Sequence, residues 1–306
     1  MSQYVFGPVP SRRLGRSLGV DLVPLKTCSF DCLYCQLGRT TEKTVVRKPW
    51  VPIDEVVDAV REHCEEEPDC ITLSGSGEPT LHLGMGELIE RIKTITNIPL
   101  VVLTNGSLLW QEELRRELAD ADLIIPSLDA GSEACFRQVN RPHNDITFER
   151  LLEGLLRLRE SYRGRYWLEV FLLDGLNTSD DEMGRFAQIV DRIRPDRVQL
   201  NTVSRPPAEN TAVAVPPALL QSLAARFSPP AEVIASHREF SPSKPQKFNR
   251  EDILHLLRRR PCTLIDIANG LKYHPAELSK IMEKMLSDGR VAQNTEGDRR
   301  FYRATR

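Results

Sequence analysis

Three cysteines stand close together in Cys28-Ser-Phe-Asp-Cys32-Leu-Tyr-Cys35, and their thiolates are suited to hold a metal centre. A structural zinc site wants four ligands, so these three would need His63 or Cys64 to complete it. A redox disulfide would account for Cys32 and Cys35 alone. A 4Fe–4S cluster on three thiolates leaves one iron open, and that corner can take a small chelating molecule. The other four cysteines, Cys64, Cys70, Cys135 and Cys262, are scattered and read as buried apolar residues.

The spacing, with aromatic Tyr34 before the last cysteine, resembles the signature of the radical S-adenosylmethionine (radical SAM) superfamily. The resemblance implies that Cys28, Cys32 and Cys35 bind a 4Fe–4S cluster whose open iron is chelated by S-adenosylmethionine. One electron then cleaves a carbon–sulfur bond of the sulfonium, giving methionine and a 5′-deoxyadenosyl radical that abstracts hydrogen from substrate. Ser74-Gly75-Ser76-Gly77-Glu78-Pro79 resembles the family's Gly-Gly-Glu-Pro motif, with Ser76 in place of the first glycine. Its glycines allow close backbone approach, and its carbonyls and Glu78 are expected to receive the methionine ammonium. Leu103-Thr104-Asn105-Gly106 resembles another recurrent element of the family. Ser127-Leu128-Asp129 falls where the family places polar groups for ribose or the methionine carboxylate, although a helix cap would also explain Asp129. Leu172, closing a strand, is expected to offer a backbone contact to adenine.

Phe6-Gly-Pro-Val-Pro-Ser-Arg-Arg-Leu-Gly15, the cysteine segment and Gly77-Glu78-Pro79-Thr80-Leu81 are together similar to a bacterial radical SAM group related to wyosine-base synthases. That resemblance covers residues 1–205 and implies a transfer-RNA base as substrate. Wyosine synthases also use a second cluster, and this sequence has no second tight cysteine trio. Arg12, Arg13, Arg141 and Arg205 are candidate substrate ligands, since guanidinium groups grip phosphate or carboxylate.

Positioning these residues falls to an alternating pattern. Apolar β-rich runs at Gly19–Val23, Ile71–Ser74, Leu100–Thr104, Leu123–Ser127, Trp167–Leu172 and Val198–Asn201 predict six strands. Helical periodicity intervenes at Ile53–Glu66, Met85–Ile95, Gln111–Ala119, Phe148–Tyr162 and Asp181–Ile193, with Asp54 and Ser179 as helix starts. The pattern predicts an α/β fold of parallel βα units, either an open sheet or a partial (βα)6 TIM-type barrel, and the resemblance selects the barrel. One more helix is expected over Ala218–Arg226, in the domain spanning residues 1–235.

Residues 236–249, with Ser241-Pro-Ser-Lys-Pro245, read as a linker. Residues 250–306 then predict helices at Glu251–Arg259, Leu264–Leu271 and His274–Ser287, a turn at Lys272-Tyr273, and a hairpin turning at Thr295-Glu-Gly-Asp298 between Val291–Asn294 and Arg300–Arg303. This order resembles a winged helix-turn-helix domain.

The chain has 306 residues, 41% hydrophobic, and a net charge of −2. From Lys247 onward thirteen Lys and Arg face eight Asp and Glu, so the C-terminal part is basic and the rest acidic. Lys272, Lys280, Lys284, Arg290, Arg299, Arg300 and Arg303 carry that excess, which suits nucleic acid (RNA or DNA) or a protein partner. No run approaches the roughly 20 apolar residues of a membrane span, and no secretory leader opens the chain, so a cytoplasmic enzyme is expected. Radical SAM chemistry also implies a reductant such as flavodoxin or ferredoxin. Two other readings stay open: a glycyl-radical enzyme activase docking a protein through its C-terminal domain, and a cluster- or SAM-sensing DNA-binding regulator.

Overall fold

The computed structural model describes residues 4–234, 249–271, 273–297 and 299–305. Strands β1 (Val5–Ser11) and β2 (Gly15–Val20) form an antiparallel pair, and a short ribbon, β3 (Thr27–Cys28) with β4 (Glu42–Lys43), follows. Alternation then sets in: α1 (Ile53–Cys64), β5 (Cys70–Leu73), α2 (Met85–Ile95), β6 (Leu100–Thr104), α3 (Glu112–Glu117) and β7 (Leu123–Pro126). It continues through α4 (Glu133–Val139), α5 (Phe148–Ser161), β8 (Arg165–Leu172), α6 (Asp180–Ile193), β9 (Arg197–Thr202), α7 (Pro217–Ala224) and β10 (Glu232–Val233). The main sheet has eight strands ordered β1-β2-β5-β6-β7-β8-β9-β10, parallel throughout except at β1–β2.

The six expected strands are present as one continuous parallel set, extended by an edge strand on each side. β1 departs from the expectation because Gly7, Pro8 and Pro10 weaken a strand pattern, yet an edge strand tolerates missing donors. The run expected at Gly19–Val23 belongs to β2, which starts at Gly15 because pairing with both neighbours overrides its polar Arg16 and Ser17. α4 was hidden by its length of seven residues, too short to show a period. Ser179 caps α6 by accepting from the Glu182 N–H, as expected. Asp54 does not start α1: Pro52 is the cap residue, and Asp54 sits inside the first turn, where a negative charge favours the helix dipole.

Side chains alternate across the sheet with a period of two. Ile71, Leu73, Leu100, Val102, Ile124, Tyr166, Leu168 and Val170 join the large core beneath the helices. Their neighbours Cys70, Val101, Leu123, Ile125 and Trp167 form a smaller apolar layer on the opposite face. Glu169, Gln199 and Asn201 share the register of that second face, which is therefore polar towards the C-terminal strand ends.

The C-terminal module comprises α8 (Arg250–Arg259), α9 (Leu264–Leu271), α10 (Pro275–Ser287) and the antiparallel pair β11 (Val291–Glu296) and β12 (Arg299–Ala304). Asn249 caps α8 by accepting from the Glu251 N–H, so it belongs to this module and not to the linker. The rest of the expected linker, residues 236–248, lies outside the described residues, as do Lys272 and Asp298 of the two expected turns. The hairpin strands extend through Thr295 and Glu296. The module's own core of Ile253, Leu257, Ile267, Leu278 and Met282 also takes in Val9 of β1, so the module is seated on the sheet's edge hairpin.

Candidate functional site

Cys28 ends β3, and Cys32 and Cys35 follow in a loop held from several sides. Phe30 and Leu33 are buried, and the Asp31 and Leu33 N–H groups donate to the Asn140 and Val139 carbonyls, each at 3.0 Å. The Asp31 carboxylate accepts from Thr40 N and Arg39 Nε, each at 2.8 Å. All three cysteines line one cavity of about 290 Å³, together with Tyr34, Gly75, Ser76, Gly77 and Ser127.

Every sulfur faces N–H donors. Asn105 Nδ2 and the Phe30 N–H each lie 3.5 Å from Cys28 Sγ, and Asn140 Nδ2 lies 3.4 Å from Cys32 Sγ. The Leu37 and Gly38 N–H groups face Cys35. Burial pushes the Cys28 thiol up to about 12, with the Glu78 charge adding to it, and burial likewise raises Cys32 and Cys35. Thiolates in so buried a place need a compensating positive charge, and N–H groups aimed at sulfur are what an anionic cluster ligand uses. This donor set fits a three-thiolate iron–sulfur cluster. Among the described residues no three His, Cys, Asp or Glu side chains converge closely enough for a single metal ion. His63 and Cys64 sit at the end of α1 and do not line the cavity, which removes the fourth ligand from the zinc reading.

The Gly75–Gly77 loop passes this cavity on its way out of β5. Gly75 adopts φ +127°, and a Cβ on it would sit 2.1 Å from Asp21 Oδ1. A Cβ on Gly77 would sit 1.8 Å from the Thr27 carbonyl oxygen, so only glycine lets the loop lie against the cysteine ribbon. Asp21 holds the loop by accepting from the Ser76 N–H at 2.7 Å. Glu78 is buried and its carboxylate is already engaged. It accepts from Thr80 N and Oγ1, from Thr104 Oγ1 and from the Asn105 N–H at 2.6–3.1 Å. Its place here is to lock the β5 and β6 loops together, with Pro79 beginning a single 3₁₀ turn over Pro79–Leu81.

Asp129 is no helix cap, for Ser132 caps α4. It is buried, accepting from the Tyr34 hydroxyl, from Asn140 Nδ2 at 2.7 Å and from the Phe171 N–H at 3.2 Å. Burial raises its pKa to about 6. Tyr34 stacks on Phe171 with centroids 3.8 Å apart, and Phe171, not buried Leu172, lines the cavity.

The candidate arginines separate. Arg12 and Arg205 line the sulfur-containing cavity. Arg13 forms an ion pair with half-buried Glu169, and although desolvation pushes the other way, that charge holds the Glu169 carboxyl below its ordinary value. Arg141 pairs with Glu209 at 2.9 Å and lines neither this cavity nor the adjoining one. Sequence reasoning missed Asn140 and Asp21, which gave no signal because each acts through a partner far along the chain. It also missed Arg259, whose Nε donates to Asp21 Oδ2 at 2.8 Å and so ties the C-terminal module to the Gly75–Gly77 loop.

The family model of the radical SAM superfamily matches residues 22–187, more than half of the chain. The protein belongs to the radical SAM superfamily. The cofactors of this radical SAM protein are accordingly a 4Fe–4S cluster and S-adenosylmethionine. It is 37% identical over 203 residues to the UPF0026 protein of Synechocystis sp., covering 66% of this chain and 76% of that one. It is 38% identical over 297 residues, 95% of this chain, to a Brachyspira hyodysenteriae protein named GTPase Obg, and spans only 44% of that protein's length. Among solved structures, a radical SAM methyltransferase from Sphaerobacter thermophilus has the same fold, with a TM-score of 0.56 at 19% identity over 71% of this chain and 66% of that one. No described helix is long and apolar enough to cross a membrane.

Proposed function

We propose that this protein is a cytoplasmic radical SAM enzyme acting on an RNA base, with Cys28, Cys32 and Cys35 as the cluster ligands. The observation that carries the reading is the cavity in which three half-buried cysteines, each faced by N–H donors, meet the Gly75–Gly77 loop at the C-terminal strand ends. In open α/β sheets and barrels alike, that end is where ligands bind. When bound, the cluster and S-adenosylmethionine supply one-electron cleavage of a carbon–sulfur bond and a 5′-deoxyadenosyl radical that takes hydrogen from the substrate. The electron comes from a reductant such as flavodoxin or ferredoxin.

The chain's own residues have narrower tasks. Gly75, Ser76 and Gly77 bring backbone to the nucleoside and Ser127 offers a polar group beside it, while Asn105 is spent on holding Cys28 and Ser29. Tyr34, held by Asp129 and stacked on Phe171, walls the cavity with aromatic surface that excludes water. We read the six parallel strands as a partial barrel and the C-terminal module as a winged helix-turn-helix seated beside its mouth. An RNA base as substrate is supported by the resemblance to the wyosine-related group and by the arginines around that mouth.

Oxygen-free reconstitution with iron and sulfide tests the reading. The wild type is expected to turn brown and to release 5′-deoxyadenosine from S-adenosylmethionine under reduction. The triple variant Cys28→Ala, Cys32→Ala, Cys35→Ala is expected to do neither. Deuterium should pass from labelled RNA into 5′-deoxyadenosine. A reconstituted wild type that stays colourless, or that cleaves no S-adenosylmethionine, sinks the proposal. Label arriving from protein instead would move the substrate to a polypeptide.

A further inference from the structure

A second cavity, of about 270 Å³, opens at the seam between the sheet and the C-terminal module and shares Arg12, Glu169 and Arg205 with the sulfur-lined one. Three segments far apart in the chain meet there. Arg12 comes from the β1–β2 turn, Arg205 follows β9, and Arg260 follows α8.

Five arginines line this cavity, and two are already neutralised: Arg13 by Glu169 and Arg259 by Asp21. The other three are poorly matched. Arg12 donates to the Asn201 side-chain oxygen at 3.2 Å. Arg205 donates to Gln36 at 3.3 Å and lies 3.9 Å from Asp266 Oδ1, while its Nε is buried with no partner. Arg260 has two buried donors, Nε and Nη2, with no partner. Against the three carboxylates paired with them, Glu169 in the cavity wall and Asp21 and Asp266 behind it, the five guanidinium groups leave two positive charges in surplus. Arg12 and Arg260 also repel Arg205, whose pKa falls to about 10 chiefly through burial, so it keeps its charge at neutral pH. Crowded like charges and buried donors without acceptors both cost free energy. An anion in the cavity would offset both.

The geometry points to a binding site for a phosphate group of the substrate, gripped by Arg12 and Arg205 of the sheet and Arg260 of the C-terminal module. Three guanidinium groups from three directions suit a tetrahedral anion better than a planar carboxylate, which one bidentate fork satisfies. The volume is at the small end for a ligand pocket, so it admits one phosphate with its ester substituent. The inference rests on the proposed function, taking the adjoining sulfur-lined cavity as the reacting end. It adds that the module completes the substrate site, with the Arg259–Asp21 pair holding Arg260 in place.

Calorimetric titration of the full-length protein tests it, using inorganic phosphate, a nucleoside 5′-monophosphate, the matching nucleoside and a short single-stranded RNA at low salt. The wild type is expected to bind the phosphate-bearing probes and not the nucleoside. Arg205→Gln and Arg260→Gln should each weaken phosphate binding roughly tenfold or more, the loss of a charged hydrogen-bond donor. Their Tm in phosphate-free buffer should hold or rise, because repulsion is relieved. Exposed Arg163→Gln, away from the cavity, is the control. RNA binding more tightly than the monophosphate places the phosphate on a strand, and the reverse order places it on a free nucleotide. Absent phosphate binding, unchanged affinity in Arg260→Gln, or a lowered Tm with affinity intact would overturn the site. The titration needs neither cluster nor S-adenosylmethionine. A protein that binds phosphate but cleaves no S-adenosylmethionine would therefore sink the proposed function and leave this site standing.

Discussion

The two ends of the mouth are built on opposite principles. At the sulfur end most polar groups have a partner, the buried Asn140 Oδ1 excepted: Glu78 accepts four hydrogen bonds, and the Asn105 and Asn140 Nδ2 groups are each split between a sulfur and an oxygen. At the arginine end, buried donors of Arg205 and Arg260 have none. A saturated network is rigid and holds its shape without a ligand. An unsaturated one stores a cost that a ligand can relieve. The contrast suits the proposed site, with a cofactor end largely preformed and a substrate end completed by what it binds.

Arg259→Gln breaks the link between the ends and carries the largest expected effect. Both partners are nearly buried, with side-chain exposures of 14% for Arg259 and 8% for Asp21, and removing one leaves the other charge uncompensated at a cost of about 3 kcal/mol. Denaturant unfolding should show that loss, and phosphate binding should fall with it while the reconstituted protein keeps its colour. Colour lost together with phosphate binding would mean that the ends are one unit.

Gly77→Ala sharpens the other side. The new Cβ would press on the Thr27 backbone, and overpacking of that kind costs about 2 kcal/mol. S-adenosylmethionine binding should drop sharply in equilibrium dialysis while phosphate affinity stays within twofold or so of wild type, well under the tenfold expected of one lost charged contact. Equal loss of both would erase the contrast.

The smallest effect concerns pH. His82, buried just beyond the Glu78-Pro79 segment, bonds the Val51 carbonyl through Nε2 at 2.9 Å and accepts from the Gly84 N–H through Nδ1 at 3.0 Å. Burial holds its pKa below the ordinary imidazole value. The stability it contributes is therefore complete above the unfolded-state pKa near 6.5 and is lost as pH falls through that value and below. The slope cannot exceed ~1.4 kcal/mol per pH unit, one proton's worth. His82→Gln should flatten urea-unfolding midpoints between pH 7 and 5, whereas the arginines keep their charge over that range. An unchanged slope would remove His82 from the account.

Much of the cofactor end was legible because it is local. The cysteine spacing and the Ser179 cap each act within a few residues of themselves, whereas Gly75 and Gly77 were visible as a glycine-rich turn but not in what they clear, Asp21 and the Thr27 carbonyl far back in the chain. β1 was not legible, since its prolines and glycine mask a strand that edge pairing tolerates. Glu78 was legible as important but not in its task, because its four donors come from two different loops. Asn140 and Phe171 gave no local sign of facing Cys32 and Tyr34.

By itself the sequence determined the alternating α/β order and, through its resemblance to a known signature, the superfamily, since short-range periodicity and the close spacing of Cys28, Cys32 and Cys35 carry both. Only the tertiary structure decided that Arg260, some 250 residues after Arg12, shares a cavity with it, and that Arg13 and Arg141 are engaged by Glu169 and Glu209. Whether a charge is matched or left waiting depends on which carboxylates the fold brings within a few ångströms of it, and no local pattern of residues encodes that.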